Sequence, residues 1–160
     1  MDGTIRNATT EDADLIVDLI AELAEYEKLS HEAVATPELI LEHIFGDNPA
    51  AHVLIIETPE GEAAGMSLWF RTFSTFLGQP GIWLEDLFVT PERRGLGLGR
   101  MLLETLAQVC VERGYPRFEW WVLDWNTPAH GFYRSLGAVP QDEWTVWRTD
   151  GEALATLGRR

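Results

Sequence analysis

Positive charge is what this chain has least of: 12 Lys and Arg stand against 26 Asp and Glu, a formal charge of −14. A surface so short of cations matches a nucleic-acid backbone poorly, so no nucleic-acid partner is expected, whereas a cationic small molecule would suit it. Cysteine is almost missing. The single Cys110 cannot close an intrachain disulfide, and it falls on one helical face with Leu103 and Leu106, which reads as core packing rather than a catalytic thiol. The four histidines, His31, His43, His52 and His130, lack metal-ligand spacing, so no metal is expected. No apolar run approaches the roughly 20 residues of a membrane span. The start, Met1-Asp2-Gly3, is acidic where a signal peptide would be basic, so a cytoplasmic setting with no membrane partner is expected. Repeats, linkers and low-complexity segments are also missing. The length is that of one typical domain, and residues 1–160 are expected to form a single one.

What is present reads as alternating strands and amphipathic helices. Thr4 to Ala8 is a plausible first strand, and Thr9-Thr10-Glu11-Asp12 supplies an N-cap with an acid three positions on. Leu15, Ile16, Leu19, Ile20, Leu23 and Tyr26 then recur at helical steps, giving a buried stripe to about Leu29, with Glu22, Glu25 and Glu27 mostly facing away. Thr36-Pro37 caps a short helix from Glu38 to Phe45 that Gly46 stops. His52 to Thr58 and Ala63 to Phe73 read as a hairpin about Pro59 to Glu62, and Ser74 to Gly81 as a loop. After the central stretch described next, Arg117 to Leu123 reads as a strand, Pro128 to Leu136 as a short helix stopped by Gly137, and Trp144 to Arg148 as a last strand. Early antiparallel strands and a central strand, helix, strand crossover imply an α/β (α+β) fold with a mixed, mostly antiparallel sheet and helices on both faces.

The chain is organised around Trp83 to Arg100. Leu84, Leu87, Phe88 and Val89 form a buried strand that Thr90-Pro91-Glu92 breaks, because proline has no amide for a ladder. Gly95, Gly97 and Gly99 then alternate before the amphipathic segment Met101 to Arg113. Such a turn bends tightly, lets a ligand approach the backbone, and presents the unpaired amides and partial positive charge of a helix start to a phosphate. Arg93, Arg94 and Arg100 add cationic donors. The motif lacks the Gly-Lys-Ser/Thr ending of an NTPase, and its alternating glycines do not match a dinucleotide fingerprint.

The order Arg94-x-x-Gly97-x-Gly99 after Leu-Glu-Asp-Leu-Phe-Val resembles the acyl-CoA pyrophosphate loop of the GNAT superfamily of N-acetyltransferases. A second stretch strengthens the resemblance: Leu123-Asp124-Trp125-Asn126-Thr127-Pro128, then Tyr133 seven residues after Asn126, then Leu136-Gly137-Ala138. The whole chain is similar to the diamine (spermidine/spermine) and thialysine acetyltransferase branch of that superfamily, from Glu22-Leu23-Ala24-Glu25-Tyr26-Glu27 to Trp144. The resemblance implies a GNAT fold whose strands Leu84 to Val89 and Phe118 to Leu123 splay apart to admit pantetheine, acetyl-CoA as cosubstrate, and a homodimer. It implies that Leu87, Phe88 and Val89 pair with pantetheine, that Arg94, Gly95, Leu96, Gly97, Leu98, Gly99 and Arg100 hold pyrophosphate, and that Asn126, Thr127, Pro128 and Ala129 complete the coenzyme contacts. Tyr26, Glu27, Glu85, Glu119, Trp120 and Trp121 would line the acceptor site.

Acetylating an amine poses a definite problem. With a reference pKa near 10.4, only about one primary amine in a few thousand is neutral at pH 7, equivalent to roughly 4 to 5 kcal/mol. Tyr133 is the candidate acid for the departing thiolate and Glu85 the candidate base or ammonium anchor. Asp86 should point to the opposite face, because side chains alternate along a regular strand. The expected activity is acetyl transfer from acetyl-CoA to a small cationic amine of the diamine or polyamine kind. The alternatives are a thialysine- or lysine-like amino acid as acceptor, a non-catalytic acyl-CoA sensor, and a protein terminus, for which no peptide groove is evident. The loop Thr75 to Gly81 departs from the polyamine enzymes, and Leu123-Asp124-Trp125-Asn126 is closer to the thialysine type.

Overall fold

The computed structural model describes residues 3–159, so Met1 and Asp2, whose acidity entered the signal-peptide reading, lie outside the described residues. Five strands lie in the order of the chain: β1 (Thr4–Asn7), β2 (His52–Glu57), β3 (Ala63–Ser74), β4 (Gln79–Val89) and β5 (Phe118–Trp120). The first four pair antiparallel and β5 joins β4 in parallel, giving the mixed, mostly antiparallel sheet expected. The helices are α1 (Ala13–Tyr26), α2 (Pro37–Ile44), α3 (Leu98–Arg113), α4 (Thr127–Ser135) and α5 (Gly151–Leu157). The chain divides into two compact units, one ending at Trp121 and the other beginning at Val122.

In the first unit each face of the sheet buries an amphipathic helix. Ile16 and Leu19 of α1 and Ile40 of α2 form one cluster with Val53, Ile55, Met66, Leu68 and Phe88. On the opposite face, Leu98, Leu102, Leu103, Leu106 and Cys110 of α3 are buried, and a Cβ at Gly3 would lie 3.1 Å from Leu98 and 3.3 Å from Ile56. The single cysteine is therefore part of the core. Thr36 caps α2 as its sequence requires, its hydroxyl accepting from the Leu39 amide at 3.3 Å. Before α1, the Thr9 amide donates to Asp12 at 2.7 Å, and the Arg6 guanidinium forks onto both Asp12 oxygens at 2.8 and 2.9 Å.

Several boundaries differ from the sequence expectation. The first helix ends at Tyr26, not near Leu29, because Lys28 adopts a left-handed φ of 62° and the Leu29 amide turns back to the Ala24 carbonyl at 2.8 Å. The expected loop from Ser74 to Gly81 shrinks to residues 75–78: Gly78, at φ 65°, closes a tight turn and lets Gln79 to Gly81 pair with Thr72 to Ser74. β5 spans three residues rather than seven. In the second unit, Trp144 to Arg148 forms no strand. Trp144 and Trp147 are 77 and 92 % exposed, and apolar alternation without a neighbouring strand leaves backbone groups nothing to pair with. The helix α5 has no counterpart in the sequence expectation.

The feature that shapes the site is a bulge in β4. Leu68 faces Asp86 while the next residue, Trp69, faces Leu84, so Glu85 is an extra residue on β4.

Candidate active site

The bulge places two adjacent carboxylates on one side of the sheet. Residues directly opposite on neighbouring strands share a face. Trp83 lies opposite Phe70, Asp86 opposite Leu68 and Phe88 opposite Met66, and these three β3 residues all belong to or pack on the core under α1. Glu85 joins them, since its carboxylate accepts a hydrogen bond from the Trp83 indole at 2.8 Å. The expectation that Asp86 points away from Glu85 is therefore corrected, because the strand is irregular where regularity was assumed. A sequence signal for this did exist. In a regular strand Asp86 would share the α3 face with Ile82 and Leu84, which are 0 and 2 % exposed, and an unpaired carboxylate is costly there.

Glu27, just beyond α1, completes an acidic cluster. Burial, reinforced by the charges of Glu85 and Glu27, pushes the Asp86 carboxyl up to about 7. Burial also raises Glu27, which is half-buried rather than on a solvated helix face. No cation neutralises Asp86 among the groups that shift it. A carboxyl titrating near neutrality can take a proton and release it again under ordinary conditions.

Beside this cluster, among the described residues, β4 has a free edge. Pairing with β5 stops at Leu84 opposite Trp120, and Glu85 to Val89 run on without a β5 neighbour. An extended ligand with amide groups can hydrogen-bond to such an edge. Leu87, opposite Ser67, and Val89, opposite Gly65, face α3, and Phe88 faces α1.

The edge leads into the glycine turn. Gly95 and Gly97 have φ of 75° and 82°, and a Cβ on either would meet nothing within 4 Å, so the turn is an open backbone cradle. Gly97 is the N-cap of α3, which begins at Leu98, earlier than Met101. Its first amides point out of a sixteen-residue helix without intrahelical partners. This geometry fits a pyrophosphate. The nearby cations are engaged locally: Arg93 with Glu62 at 2.6 Å, Arg100 with Glu104 at 2.7 Å, and Arg94 with the Val89 carbonyl at 2.9 Å. The Arg94 guanidinium lies 4.7 Å from the Tyr26 ring centroid and 5.5 Å from that of Phe88, on the acidic-cluster side.

Glu119, opposite Trp83, lies on the same face as Glu85, and Trp121 meets the Trp83 ring edge-on at 5.4 Å. Trp120, opposite Leu84, lies on the other face with Phe118, their rings 5.0 Å apart. In the second unit, Asn126 is the N-cap residue of α4, although its side chain makes no capping bond. Thr127, Pro128 and Ala129 form the first turn of that helix. Tyr133 is half-buried one face along, with Phe132 at 5.3 Å. His130 bonds the Leu123 carbonyl at 3.0 Å.

Residues 16–138 match the Acetyltransferase (GNAT) family. The chain belongs to the GNAT acetyltransferase family. It is 38 % identical to the thialysine N-epsilon-acetyltransferase of Sus scrofa over 96 % of this chain and 95 % of that protein. It is 29 % identical to the L-ornithine N5-acetyltransferase NATA1 of Arabidopsis thaliana over 99 and 89 %. An integron cassette protein from the mobile metagenome of V. cholerae has the same fold, with a TM-score of 0.84, 24 % identity, and coverage of 100 and 99 %. This GNAT protein is thus an acetyl-CoA-dependent N-acetyltransferase. No helix of the described residues is long and apolar enough to cross a membrane.

Proposed function

We propose that this enzyme acetylates a primary amine of a small cationic acceptor by direct attack on the acetyl thioester, with no covalent enzyme intermediate. The observation that carries the reading is the cluster of Glu27, Glu85 and Asp86 at the β4 bulge, beside a strand edge open to pantetheine. An acidic cluster attracts an ammonium, and Asp86, poised near 7, can take the proton that the amine must lose. Glu85, oriented by the Trp83 indole, anchors the acceptor. As the C–N bond forms and the C–S bond breaks, Tyr133 donates a proton to the thiolate. That role rests on its spacing from Asn126 and on the family match. The glycine cradle and the first turn of α3 hold pyrophosphate, and Asn126 to Ala129 add coenzyme contacts. The single domain, the homodimer and the cytoplasmic setting belong to the same proposal. The family match runs across both compact units, which supports the first.

Two acceptor classes fit an acidic pocket, diamines or polyamines and basic amino acids. The relatives named for thialysine and ornithine favour the second mildly. Release of free CoA from acetyl-CoA, measured across spermidine, short diamines, lysine, thialysine and a peptide amine, tests the reading. Saturable release with at least one small cationic amine is expected; release with none of them, or only with the peptide, refutes it.

A further inference from the structure

The face of the sheet that carries Glu85 continues toward the β3–β4 turn. Two residues before Trp83 stands Gly81, opposite Thr72, where a Cβ would lie 2.7 Å from the Arg117 carbonyl oxygen, 3.1 Å from the Thr72 hydroxyl and 3.4 Å from the Arg117 Cβ. β3, β4 and the residue leading into β5 thus approach closely where Gly81 has no side chain. A depression beside this point is lined by Thr72, Gln79, Gly81, Arg117 and Glu119 among others.

Arg117, the residue before β5, and Glu119 both line this depression, two residues and about 7 Å apart along the chain. Among the described residues neither forms an ion pair, although each is one long side chain away from the other. The β3–β4 segment from Arg71 to Ile82 contains no carboxylate. A polyamine would find only Glu119 to hold its far ammonium here, with a guanidinium beside it.

A basic amino acid presents a different far end, a carboxylate and an ammonium on one carbon. Arg117 can fork onto the carboxylate while Glu119 accepts from the ammonium and the Thr72 hydroxyl adds a donor. The reach also matches. The Glu85 carboxylate is held back over Trp83, and Trp83 to Gly81 is two residues, about 7 Å. An extended lysine side chain spans roughly 6 Å from Cα to its amine.

We propose that Arg117 and Glu119, in the depression beside Gly81, form a head-group subsite for the α-carboxylate and α-ammonium of a basic amino-acid acceptor whose side-chain amine reaches Glu85 and Asp86. The subsite selects acceptors that carry the carboxylate over those that do not. It rests on the acetyl-transfer reading above and narrows it to one substrate class.

The probes are lysine, lysine methyl ester and 1,5-diaminopentane, which share the reacting end and differ at the carboxylate. With the wild-type enzyme, kcat/KM for lysine should exceed that for the ester and the diamine by about 10- to 100-fold, as expected for loss of a charge-assisted pair. Arg117→Ala should collapse the lysine-to-diamine ratio by a similar factor, chiefly through KM for lysine, and Arg117→Lys should restore part of it. Acetyl-CoA affinity reports whether each variant is folded, and the wild-type comparison needs no variant. Equal or greater turnover of the diamine by the wild-type enzyme overturns the subsite and leaves the acetyltransferase reading standing. An unchanged ratio in folded Arg117→Ala does the same. Turnover of none of these amines, nor of any in the wider panel, overturns both.

Discussion

Two groups of carboxylates in the first unit have nearly the same composition and opposite roles. At the β1 to α1 junction, Asp12 and Glu57 share one cation: Arg6 forks onto Asp12 and gives its Nε to Glu57 at 2.7 Å. The guanidinium holds the Asp12 carboxyl down to about 2, with burial opposing it. At the β4 bulge, Glu27, Glu85 and Asp86 gather with no cation among the groups that shift Asp86, and burial pushes its carboxyl up to about 7. Whether an acid braces a fold or exchanges protons depends here on one guanidinium. Asp12 is charged and stabilising under ordinary conditions; Asp86 is close to half-charged at neutrality and held at a cost to stability, a common trade at reactive sites.

The comparison breaks first at Asp86. Asp86→Asn should lower kcat/KM by about 10²- to 10³-fold. In the wild type, log kcat/KM should rise with pH and inflect near 7, because the base must be ionised, and the variant should lose that inflection. A pH profile with the inflection intact in the variant would move the proton transfer to another group. Next in size, Tyr133→Phe should cost about 10²-fold in turnover while acetyl-CoA affinity stays close to the wild-type value, which would separate the acid from the coenzyme contacts.

Stability sharpens the contrast through its sign. Asp12 has a folded value below its unfolded one, so its contribution is present above about 4 and is lost as pH falls toward 2. Asp86 has a folded value above its unfolded one, so stability declines as pH rises from about 4 through 7. Arg6→Ala should therefore destabilise the protein by about 2 kcal/mol at pH 7, read as a fall in Tm of several degrees, with turnover at permissive temperature within about twofold of wild type. Asp86→Asn should stabilise it by about 1 to 2 kcal/mol at pH 8 and by little at pH 4. Last, Gly97→Ala, at φ 82°, should cost roughly 1 to 2 kcal/mol of backbone strain and raise KM for acetyl-CoA severalfold; an unaltered KM would take the glycine cradle out of coenzyme binding.

Much of this was legible in the chain because it rests on short-range physics. The spacing of Ile16 and Leu19, the Thr36-Pro37 cap, and Gly95 and Gly97 before α3 follow from helical periodicity, a proline's missing amide and the freedom of glycine at positive φ. The hairpin of β2 and β3, the parallel crossover to β5 and the burial of Cys110 follow from the same rules. So does the adjacency of Glu85 and Asp86, but not the direction in which each points. That direction depends on a register shift between Leu68 and Trp69, a property of two strands pairing rather than of either one. The end of β5 at Trp120, the placing of Trp120 and Trp121 on opposite faces, and the approach of Arg117 to Gly81 are likewise set by neighbours distant in sequence. The sequence by itself thus determined the elements, the phosphate turn and the class of chemistry, since each is encoded within a few residues. Only the tertiary structure decided which carboxylate titrates near neutrality, because desolvation and mutual repulsion exist only once Glu27, Glu85 and Asp86 are brought together.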